Sequence, residues 1–558
     1  MTPIIECVPN FSEGIDLQII QSITKEIEMV EGVRLLNVDP GKATNRTVVT
    51  FVGSPSAVVE AAFRAIRKAG ELIDMRHHRG EHPRMGATDV CPLIPVSGIT
   101  MEETVSWARK LAERVGNELS IPVYLYEAAQ SDKARSNLSV IRAGEYEGFS
   151  DKIKKREWKP DFGPAVFDEK RGATVIGARD FLVAYNINLN TTSVRRANSV
   201  AFDVREAGRI KREGDPVNGN IIRDEKGEPV MVPGTLKSVK AIGWFIKEYG
   251  VAQISMNLTN LSITPLHIAF DEVCRKAESR GLRVTGSELV GLIPLESILE
   301  AGKYFLKKQK RSAGVSEKEL IRIAIISMGL NELGPFKPEE RIIEYLLKDR
   351  EEEKLIRLSL SDFADETASE SPAPGGGSVA AYLGALGVSL GAMVANISAQ
   401  KTNWESFSEW AEKASALKKE LISQVDADTR AFEGILNAKA LPRGTGSEKS
   451  IRDKALQDAN LKAIEVPYRV MQLSLKSMDI IKAMAVEGNQ NSKSDAGVGA
   501  ICARSAVMGA FLNVCINAAG SENDKTISSI LAEGKKIQDS AVAKEKEILD
   551  LIGLKPKV

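Results

Sequence analysis

The sequence predicts a multidomain protein in which two α/β sandwich (ferredoxin-like) subdomains precede an all-α helical bundle. Three observations favour this fold class. From residue 1 to about 335, short β-rich runs alternate with amphipathic helical patterns; across 361–558 strand signals almost vanish; and the charged stretch KDREEEKLIRLSL lies between. The 558 residues allow three or four compact units, at roughly 150 residues each. We therefore predict subdomains at 1–160 and 161–345, a linker at 346–360 and a bundle at 361–558.

The first subdomain is predicted to follow the order βαββαβαβ. A helix is expected to start at Ser54, a capping residue, with Pro55 just inside it. The predicted strands are IIECVPN, VRLLNVD, TVVTFVG, TDVCPLIPV and IPVYLYE. Strands that alternate with helical patterns in this way indicate a sheet covered by helices.

The pattern restarts after the aromatic, proline-rich connector REWKPDFGP at 156–164. Helices are expected near 193–207 and 266–281. The strand candidates are RDFLVAYNINLN, SVKAIGWFI, VAQISMNLT and LRVTGSELVGLIPL. Residues 217–234 are predicted to form a polar β-hairpin insertion because they carry two turn signals. Two subdomains imply a cleft between them, where ligands usually bind.

Five long helices are predicted in the second half, at 376–400, 404–439, 447–487, 495–519 and 525–552. The stretch 375–400 carries no charge and is long enough to span a membrane. It is rich in small residues, however, and lacks aromatic and basic anchors. Glycines at 384, 387 and 391 would let other helices approach closely. We therefore expect a buried central helix.

Composition excludes several classes of function. Lys+Arg and Asp+Glu both number 75, so the formal net charge is zero, which argues against a general nucleic-acid binder. The five cysteines lie far apart with no CxxC pair, which favours free thiols in a reducing compartment. The N-terminus has no basic stretch followed by an apolar core. We expect a cytoplasmic protein with no metal, nucleic-acid or membrane partner.

The motif RGEHPRMGATDV at 79–90 places His82 between Glu81 and Pro83. Proline disfavours a helix at the preceding residue, so an extended loop is expected and the helical two-histidine zinc motif is excluded. A titratable ring near Arg79 and Arg84 suits a site that binds carboxylates and transfers a proton. The alternative is a solvated basic turn.

A second candidate site lies in the helix predicted at 404–439. Successive helical residues turn by about 100°, which places Asp428 within an apolar stripe and Asp426 on the opposite, solvent-facing side. The stripe consists of Leu417, Leu421, Val425, Phe432 and Ile435. Burial should raise the pKa of Asp428 into the range useful for proton transfer. The alternative is a structural aspartate satisfied by helix ends or an arginine.

The loop Pro374-Gly375-Gly376-Gly377-Ser378 precedes the uncharged helix. Exposed amides at Gly376 and Gly377 could hold an anion, such as a substrate carboxylate or a glutamyl tail. An ordinary helix-start loop would have the same sequence features.

Twelve motifs, in one order across both halves, resemble those of the formimidoyltransferase-cyclodeaminase family. They are ECVPNFSEG (6–14), NRTVVTFVG (45–53), GEHPRMGATDVCP (80–92), IPVYLYE (121–127), IRAGEYEG (141–148), WKPDFGP (158–164), AYNINL (184–189), GSELVGLIPL (286–295), ERIIEYLL (340–347), APGGGSVAA (373–381), VDADTRAF (425–432) and FLNVCIN (511–517). The insertion at 217–234 and the linker at 348–360 depart from the family pattern.

The resemblance implies a folate-dependent enzyme of histidine degradation. It would transfer the formimino group of N-formimino-L-glutamate to tetrahydrofolate, and would then cyclise 5-formiminotetrahydrofolate to 5,10-methenyltetrahydrofolate with release of ammonia. The resemblance also implies a polyglutamylated folate and a homo-oligomer. The alternatives are an active transferase half with the bundle as a scaffold, and a non-catalytic folate-binding assembly protein.

The resemblance also implies roles for individual residues. His82 matches the general acid/base of the transferase, and Asp428 matches the cyclodeaminase aspartate that would move a proton to the departing nitrogen. Arg46 and Arg84 would bind the glutamate or folate carboxylates, and Asp39 would orient the histidine or hold the pterin. Folate contacts are implied along Gly163, Pro164 and the following residues to Gly172.

Overall fold

The structure is a computed structural model that describes residues 3–42, 44–80, 83–347, 354–400, 403–521 and 524–553. The chain divides into two compact units. The first unit comprises Met1–Ser297 and Met328–Leu347, and the second comprises Ile298–Ser327 and Lys348–Val558. Each is described by itself below.

The elements up to residue 347 alternate between strands and helices. In chain order they are β1 (Ile4–Cys7), β2 (Asn10–Phe11), α1 (Leu17–Glu28), β3 (Val33–Gly41), β4 (Arg46–Gly53), α2 (Pro55–Leu72), β5 (Thr88–Ser97), α3 (Met101–Glu118), β6 (Val123–Glu127), α4 (Leu138–Arg142), α5 (Glu145–Lys152), β7 (Thr174–Ala178), β8 (Val183–Leu189), α6 (Val194–Val204), β9 (Arg209–Ile210), β10 (Met231–Val232), β11 (Val239–Ile246), β12 (Val251–Leu258), α7 (Leu266–Glu278), β13 (Val284–Val290), α8 (Leu295–Lys308), α9 (Glu317–Met328), α10 (Pro338–Arg341) and α11 (Ile343–Leu347).

The remaining elements are helical. They are α12 (Leu360–Thr367), α13 (Gly376–Ser398), α14 (Trp404–Ala440), α15 (Gly446–Glu487), α16 (Lys493–Ala518) and α17 (Lys525–Ile552), with a short 3-10 helix at Leu355–Arg357 before them. All five long helices predicted from the sequence are present, each within two residues of its predicted ends.

The first subdomain has a ferredoxin-like core with two added strands. Its core order is β3-β4, then β1 with β2, then β5, and β7 and β6 extend the sheet in parallel beyond β5. Helices α1, α2 and α3 cover one face, with a core that includes Phe51, Phe63 and Leu111. The prediction of an α/β sandwich is therefore confirmed.

The opposite face of this sheet is only partly covered. The segment around α4 and α5 packs over the β5-β7-β6 end, where Tyr124 and Phe149 meet edge to face at 5.9 Å. In the strand pairing, Asn10 lies opposite Val48 on one side and Val90 on the other. Asp39 pairs with Val48 and so belongs to the same cross-strand row. These residues share a face because paired residues point to the same side of a sheet. The β3-β4-β2 part of that face carries polar side chains.

The second subdomain is a four-stranded antiparallel sheet with the order β11-β12-β8-β13. Its sequence order, β8-α6-β11-β12-α7-β13, gives the ferredoxin-like arrangement that was predicted. The insertion begins earlier than predicted, at β9, which pairs with β10 at its other end. A turn at Gly227, with φ +81°, lies in its distal part, as the Lys226-Gly227 signal indicated.

Helix α13 forms the centre of the bundle because its small residues admit close neighbours. A side chain at Gly387 would contact the backbone of Gly499 on α16, and one at Gly391 would contact Ile481 on α15. By length and composition, two helices among the described residues could span a membrane: Gly376–Ser398 and the stretch Gln490–Ala518. In the structure both pack into the bundle.

The sequence prediction for Asp426 was wrong. Asp426 is only 6% exposed, and its carboxylate accepts the backbone N–H groups of Leu355 (2.8 Å) and Ile356 (3.3 Å). It therefore caps the 3-10 helix that follows the linker instead of facing solvent. The helical angles correctly place Asp426 on the side of α14 opposite the apolar stripe. They could not show that the segment at Leu355 and Ile356 covers that side.

Candidate functional site

The predicted acid/base His82 and its neighbour Glu81 lie outside the described residues, so the role of His82 stays a prediction. The residue before them, Gly80, packs tightly against the β3–β4 turn. A Cβ atom on Gly80 would lie 2.9 Å from the carbonyl carbon of Thr44. Only glycine fits there without moving that backbone, so the turn fixes where the histidine loop begins.

His78 joins this loop to the β3–β4 turn. Its Nδ1 accepts a hydrogen bond from Arg84 Nε (3.2 Å), so Nε2 carries the proton and donates to the Asn45 carbonyl (2.8 Å). The Asn45 side chain in turn accepts the Gly14 N–H and donates to the Arg79 carbonyl. Burial lowers the pKa of His78, which favours the neutral form of the ring. His78 is thus a structural link beside the loop.

Arg84 is enclosed by acidic side chains. Its guanidinium is 5% exposed and donates to Glu147 at 2.6 and 3.0 Å and to Glu145 at 3.0 Å. A substrate carboxylate would have to displace one of these partners. The predicted carboxylate-binding role of Arg84 therefore stays a prediction, and the observed contacts make it a positioning residue for His78.

Arg46 is less occupied by carboxylate partners than Arg84. It lies near Asp39 and Asp89, and burial lowers its pKa to about 10. Within the described ranges, the buried Nε of Arg46 and the buried Oδ1 of Asn10 have no hydrogen-bond partner. Asp89 is already bound by Arg142 and by the Met85 N–H. An unpaired buried donor and acceptor on the polar sheet face indicate a place where a ligand could bind.

Two cavities flank the histidine loop. One, of about 450 Å³, is lined by Arg79, Gly80, Arg84, Gly144, Glu145 and Glu147. The other, of about 530 Å³, is lined by Arg76, Arg79, Tyr146, Glu147, Phe167 and Glu169. Both volumes fall in the range of small-molecule sites.

The second cavity borders the segment 163–172 for which the resemblance implies folate contacts. Gly163 (φ +81°) and Gly172 (φ +68°) both adopt left-handed conformations. A Cβ on Gly172 would lie 2.7 Å from the Gly86 Cα. The close approach of Gly172 to Gly86 holds the segment 163–172 against the backbone that follows Arg84. Phe167 then reaches Tyr146, with ring centroids 5.5 Å apart.

The second candidate site brings Asp428 and the glycine loop together. A Cβ on Gly377 would lie 2.5 Å from the Asp428 Cγ, so the carboxyl group occupies the space that a side chain would fill. The backbone N–H and the hydroxyl of Ser378 both contact this carboxyl group, the hydroxyl at 3.0 Å. The anion predicted at Gly376 and Gly377 stays a prediction, and at Gly377 the nearest carboxyl group is the protein's own.

Burial has the largest effect on the pKa of Asp428 and raises it above the ordinary value of a carboxyl group. This direction agrees with the sequence argument. The predicted apolar stripe is only partly buried, since Phe432 is 41% exposed. A cavity of about 340 Å³ lies alongside and is lined by Asp426, Thr429 and Arg430 on α14 and by the segment 371–373. Among the described residues, no group of three His, Cys, Asp or Glu side chains could hold a metal ion.

We predict that His78→Gln removes a pH dependence from the stability of the first unit. The folded pKa of His78 lies below its ordinary value, so the stabilisation is present above that value, about pH 6.5, and is lost as the pH falls. The free energy of unfolding should therefore decline below about pH 6.5 more steeply in the parent protein than in the variant. Denaturant titrations across this range measure it. His77→Gln, at an exposed neighbour, should behave like the parent; parallel curves for the parent and His78→Gln would contradict the prediction.

We predict that Gly377→Ala lowers the cyclisation of 5-formiminotetrahydrofolate by about 100-fold, because displacement of a catalytic group by an ångström has effects of this size. Gly375→Ala is the matched control, since its Cβ would meet nothing within 4 Å. Initial rates of methenyl formation measure the effect. Equal rates for the two variants would show that the position of the Asp428 carboxyl group is not critical.

Comparison with known proteins gives matches along nearly the whole chain. Three family models match: the N-terminal subdomain of the formiminotransferase domain at residues 4–179, the formiminotransferase domain at 184–348, and formiminotransferase-cyclodeaminase at 359–536. Formimidoyltransferase-cyclodeaminase of Gallus gallus is 42% identical, over 96% of this chain and 97% of its own length.

Each half also matches a relative separately. Glutamate formimidoyltransferase of Thermoplasma acidophilum is 42% identical over 54% of this chain and 92% of its own length. Methenyltetrahydrofolate cyclohydrolase of Methylorubrum extorquens is 32% identical over 32% of this chain and 92% of its own length. The matches cover both halves in one order, so the chain belongs to the formimidoyltransferase-cyclodeaminase family.

Proposed function

We propose that this protein is a bifunctional folate enzyme of histidine degradation. It transfers the formimino group from N-formimino-L-glutamate to N5 of tetrahydrofolate, and then closes the ring to 5,10-methenyltetrahydrofolate with release of ammonia. The observation that carries this proposal is the 42% identity over 96% of the chain with a relative that is named for both activities. Each half also holds a candidate proton-transferring residue of its own.

In the transferase half, the amine of tetrahydrofolate attacks the amidine carbon, and a proton must move from the incoming to the departing nitrogen. An imidazole titrates near neutral pH and can serve both steps, which is the role proposed for His82. Cavities beside Gly80 and Phe167 offer room for the reactants. Arg46 supplies a cation with an unpaired N–H among the described residues, and Asp39 lies near it.

In the helical half, N10 attacks the formimino carbon and the nitrogen leaves as ammonia. The departing nitrogen needs a proton, and Asp428 is the acid proposed to deliver it. The raised pKa suits this task because burial favours the protonated form of the carboxyl group. The cyclohydrolase name of the relative that matches this half refers to the same methenyl folate.

We also propose that the folate carries a polyglutamate tail and that the enzyme acts in the cytoplasm. Arg76 and Arg79 line the cavity of about 530 Å³ that Phe167 borders, and their guanidinium groups could bind glutamyl carboxylates. The five cysteines all lie in the described part of the chain and form no disulfide there, and the sulfurs of Cys7 and Cys91 lie 3.5 Å apart, which fits a reducing compartment.

We propose self-association through an apolar face of the bundle formed by α13 and α16. The α13 side consists of Val379, Leu383, Leu386, Leu390, Met393 and Ile397, and the α16 side of Val498, Ile501, Leu512 and Ile516, all exposed or half-buried. Leu512 is 71% exposed. An uncharged face of this length is unfavourable in water, and a second copy of the same face would cover it.

His82→Ala and Asp428→Asn should separate the two activities. We expect each variant to lose its own reaction by about 100-fold or more, because general acid/base groups contribute at least that much. His82→Ala should stop formimino transfer and still cyclise supplied 5-formiminotetrahydrofolate, and Asp428→Asn should do the reverse. Ammonia release and methenyl absorbance measure the second step, and glutamate release measures the first.

Controls for this assay are His77→Gln and Asp458→Asn, both at exposed positions. Transfer without accelerated cyclisation in the parent protein would support a scaffold role for the bundle. Absence of both reactions would support a non-catalytic folate-binding protein. Loss of both reactions in either single variant would contradict separate sites.

Leu386→Glu and Leu512→Glu should reduce the mass of the native assembly, because each places a charge in the α13/α16 face. Sedimentation of the full chain measures the mass. Ile451→Glu, which places the same charge at a 61% exposed position on α15, should leave it unchanged. If the Leu386→Glu and Leu512→Glu variants keep the mass of the unsubstituted protein, this face is excluded as an interface.

A further inference from the structure

The hydroxyl group of Ser378 lies between two acceptors. Its Oγ is 2.9 Å from the Val425 carbonyl oxygen and 3.0 Å from Asp428 Oδ2, and the side chain is fully buried. A serine hydroxyl has one hydrogen and can donate it to only one of the two. The carbonyl of Val425 can never donate. The second hydrogen in this group must therefore come from Asp428 if both short contacts are hydrogen bonds.

Two arrangements are possible, and they differ in the charge of the carboxyl group. If Asp428 is ionised, Ser378 donates to it and no longer donates to the Val425 carbonyl. If Asp428 is protonated, its Oδ2–H donates to Ser378 Oγ, and Ser378 donates onward to Val425. The second arrangement satisfies every contact. It also avoids a buried charge, which is costly without a cation.

Among the described residues, no charged group acts on the pKa of Asp428 beside the hydrogen bonds from Ser378. Helix α13 contains no Asp, Glu, Lys, Arg or His between 376 and 398. On α14, Asp426 accepts the N–H groups of Leu355 and Ile356. The neighbouring cavity is lined by two cations and two further carboxylates, Lys354, Arg430, Glu366 and Glu433. On α16, the residue that approaches Gly376 is the neutral Asn513, whose Nδ2 lies 3.4 Å from the position of an added Cβ.

We propose that Ser378 is a positioning residue that holds Asp428 as a neutral acid, by accepting its proton and donating its own to the Val425 carbonyl. This inference rests on the proposed cyclodeaminase function. Thr429 can support the arrangement, since its Oγ1 is 3.5 Å from Ser378 Oγ and can act as donor or acceptor.

The arrangement prepares the acid for the departure of ammonia. As the bond between the formimino carbon and its nitrogen breaks, the Oδ2–H bond of Asp428 breaks and a new N–H bond forms. The Ser378 hydroxyl can then turn from Val425 to the new carboxylate, and the Ser378 N–H at the start of α13 already points to it. The proton lost by N10 on ring closure restores the acid, and one further proton comes from water, which balances the product NH₃ and the cationic methenyl group.

Ser378→Ala tests the inference through the pH profile of cyclisation. If Ser378 accepts from protonated Asp428, its removal destabilises the acid form, and the alkaline limb of the profile should move to lower pH by about half a unit to one unit. If Ser378 instead donates to an ionised Asp428, the limb should move to higher pH. A shift to higher pH, or no shift, overturns the proposal.

Ser389→Ala is the matched control. Ser389 lies on the same helix and its hydroxyl donates to the Ala385 carbonyl at 2.6 Å, so the variant removes a similar bond away from Asp428. Its profile should match that of the parent protein. Ser378→Thr, which keeps the hydroxyl, should restore the alkaline limb wherever it folds.

Infrared difference spectra report the protonation state of Asp428 even if Ser378→Ala does not fold. At about pH 6.5, ordinary carboxyl groups are ionised, and the parent minus Asp428→Asn difference should contain the C=O band of one protonated carboxyl group. Glu6, whose pKa burial raises to about 7, contributes equally to both spectra. Absence of that band overturns the proposal. Lack of cyclisation by the parent protein would instead refute the proposed function, and the spectra would still report the state of Asp428.

Discussion

The helical half depends on the placement of one carboxyl group, that of Asp428, against the Cα atom of Gly377. The contact requires a glycine at the start of α13, since any side chain would fill the same space. It also requires α13 and α14 to approach closely, which the small residues of α13 allow. Within the part of the chain that the structure describes, the carboxyl group is thereby held by the backbone N–H and the hydroxyl of Ser378, and no cation acts on its pKa. Its chemistry follows from that environment, because desolvation acts without a compensating charge.

Two aspartates on α14 that are separated by a single residue illustrate how the environment assigns roles. Asp426 accepts two backbone N–H groups and caps the 3-10 helix, whereas Asp428 contacts one backbone N–H and the hydroxyl of Ser378, which also contacts the Val425 carbonyl. Hydrogen bonds from N–H groups favour the charged form of a carboxyl group and burial favours the neutral form, and burial has the larger effect at Asp428. Structural and chemical functions therefore separate across a single helix. Neither residue type nor burial alone distinguishes them, since Asp426 is the more buried of the two.

The long helices could be predicted from sequence because a 3.6-residue pattern sustained over many turns leaves little ambiguity. Strand β7 could not, because TVIGA is short, wholly buried and shows no alternation, and its position between β5 and β6 follows from tertiary pairing. The sequence also could not show that Glu145 and Glu147 enclose Arg84, since those contacts join positions about 60 residues apart. The residue types of both sites were predictable, and their hydrogen-bond partners were not.

The same reasoning favours Arg46 as a cation for a substrate in the transferase half. Arg84 is neutralised by two glutamates, and Arg142 is bound to Asp89. Arg46 differs, because within the described ranges its buried Nε has no partner and the nearby Asn10 Oδ1 has none either. A buried donor and a buried acceptor that make no hydrogen bond lower the stability of the folded protein. A ligand that carries both an acceptor and a donor would recover that cost, as a folate or an amidine substrate does. The binding energy of the first reaction is therefore expected to concentrate at Arg46 and Asn10.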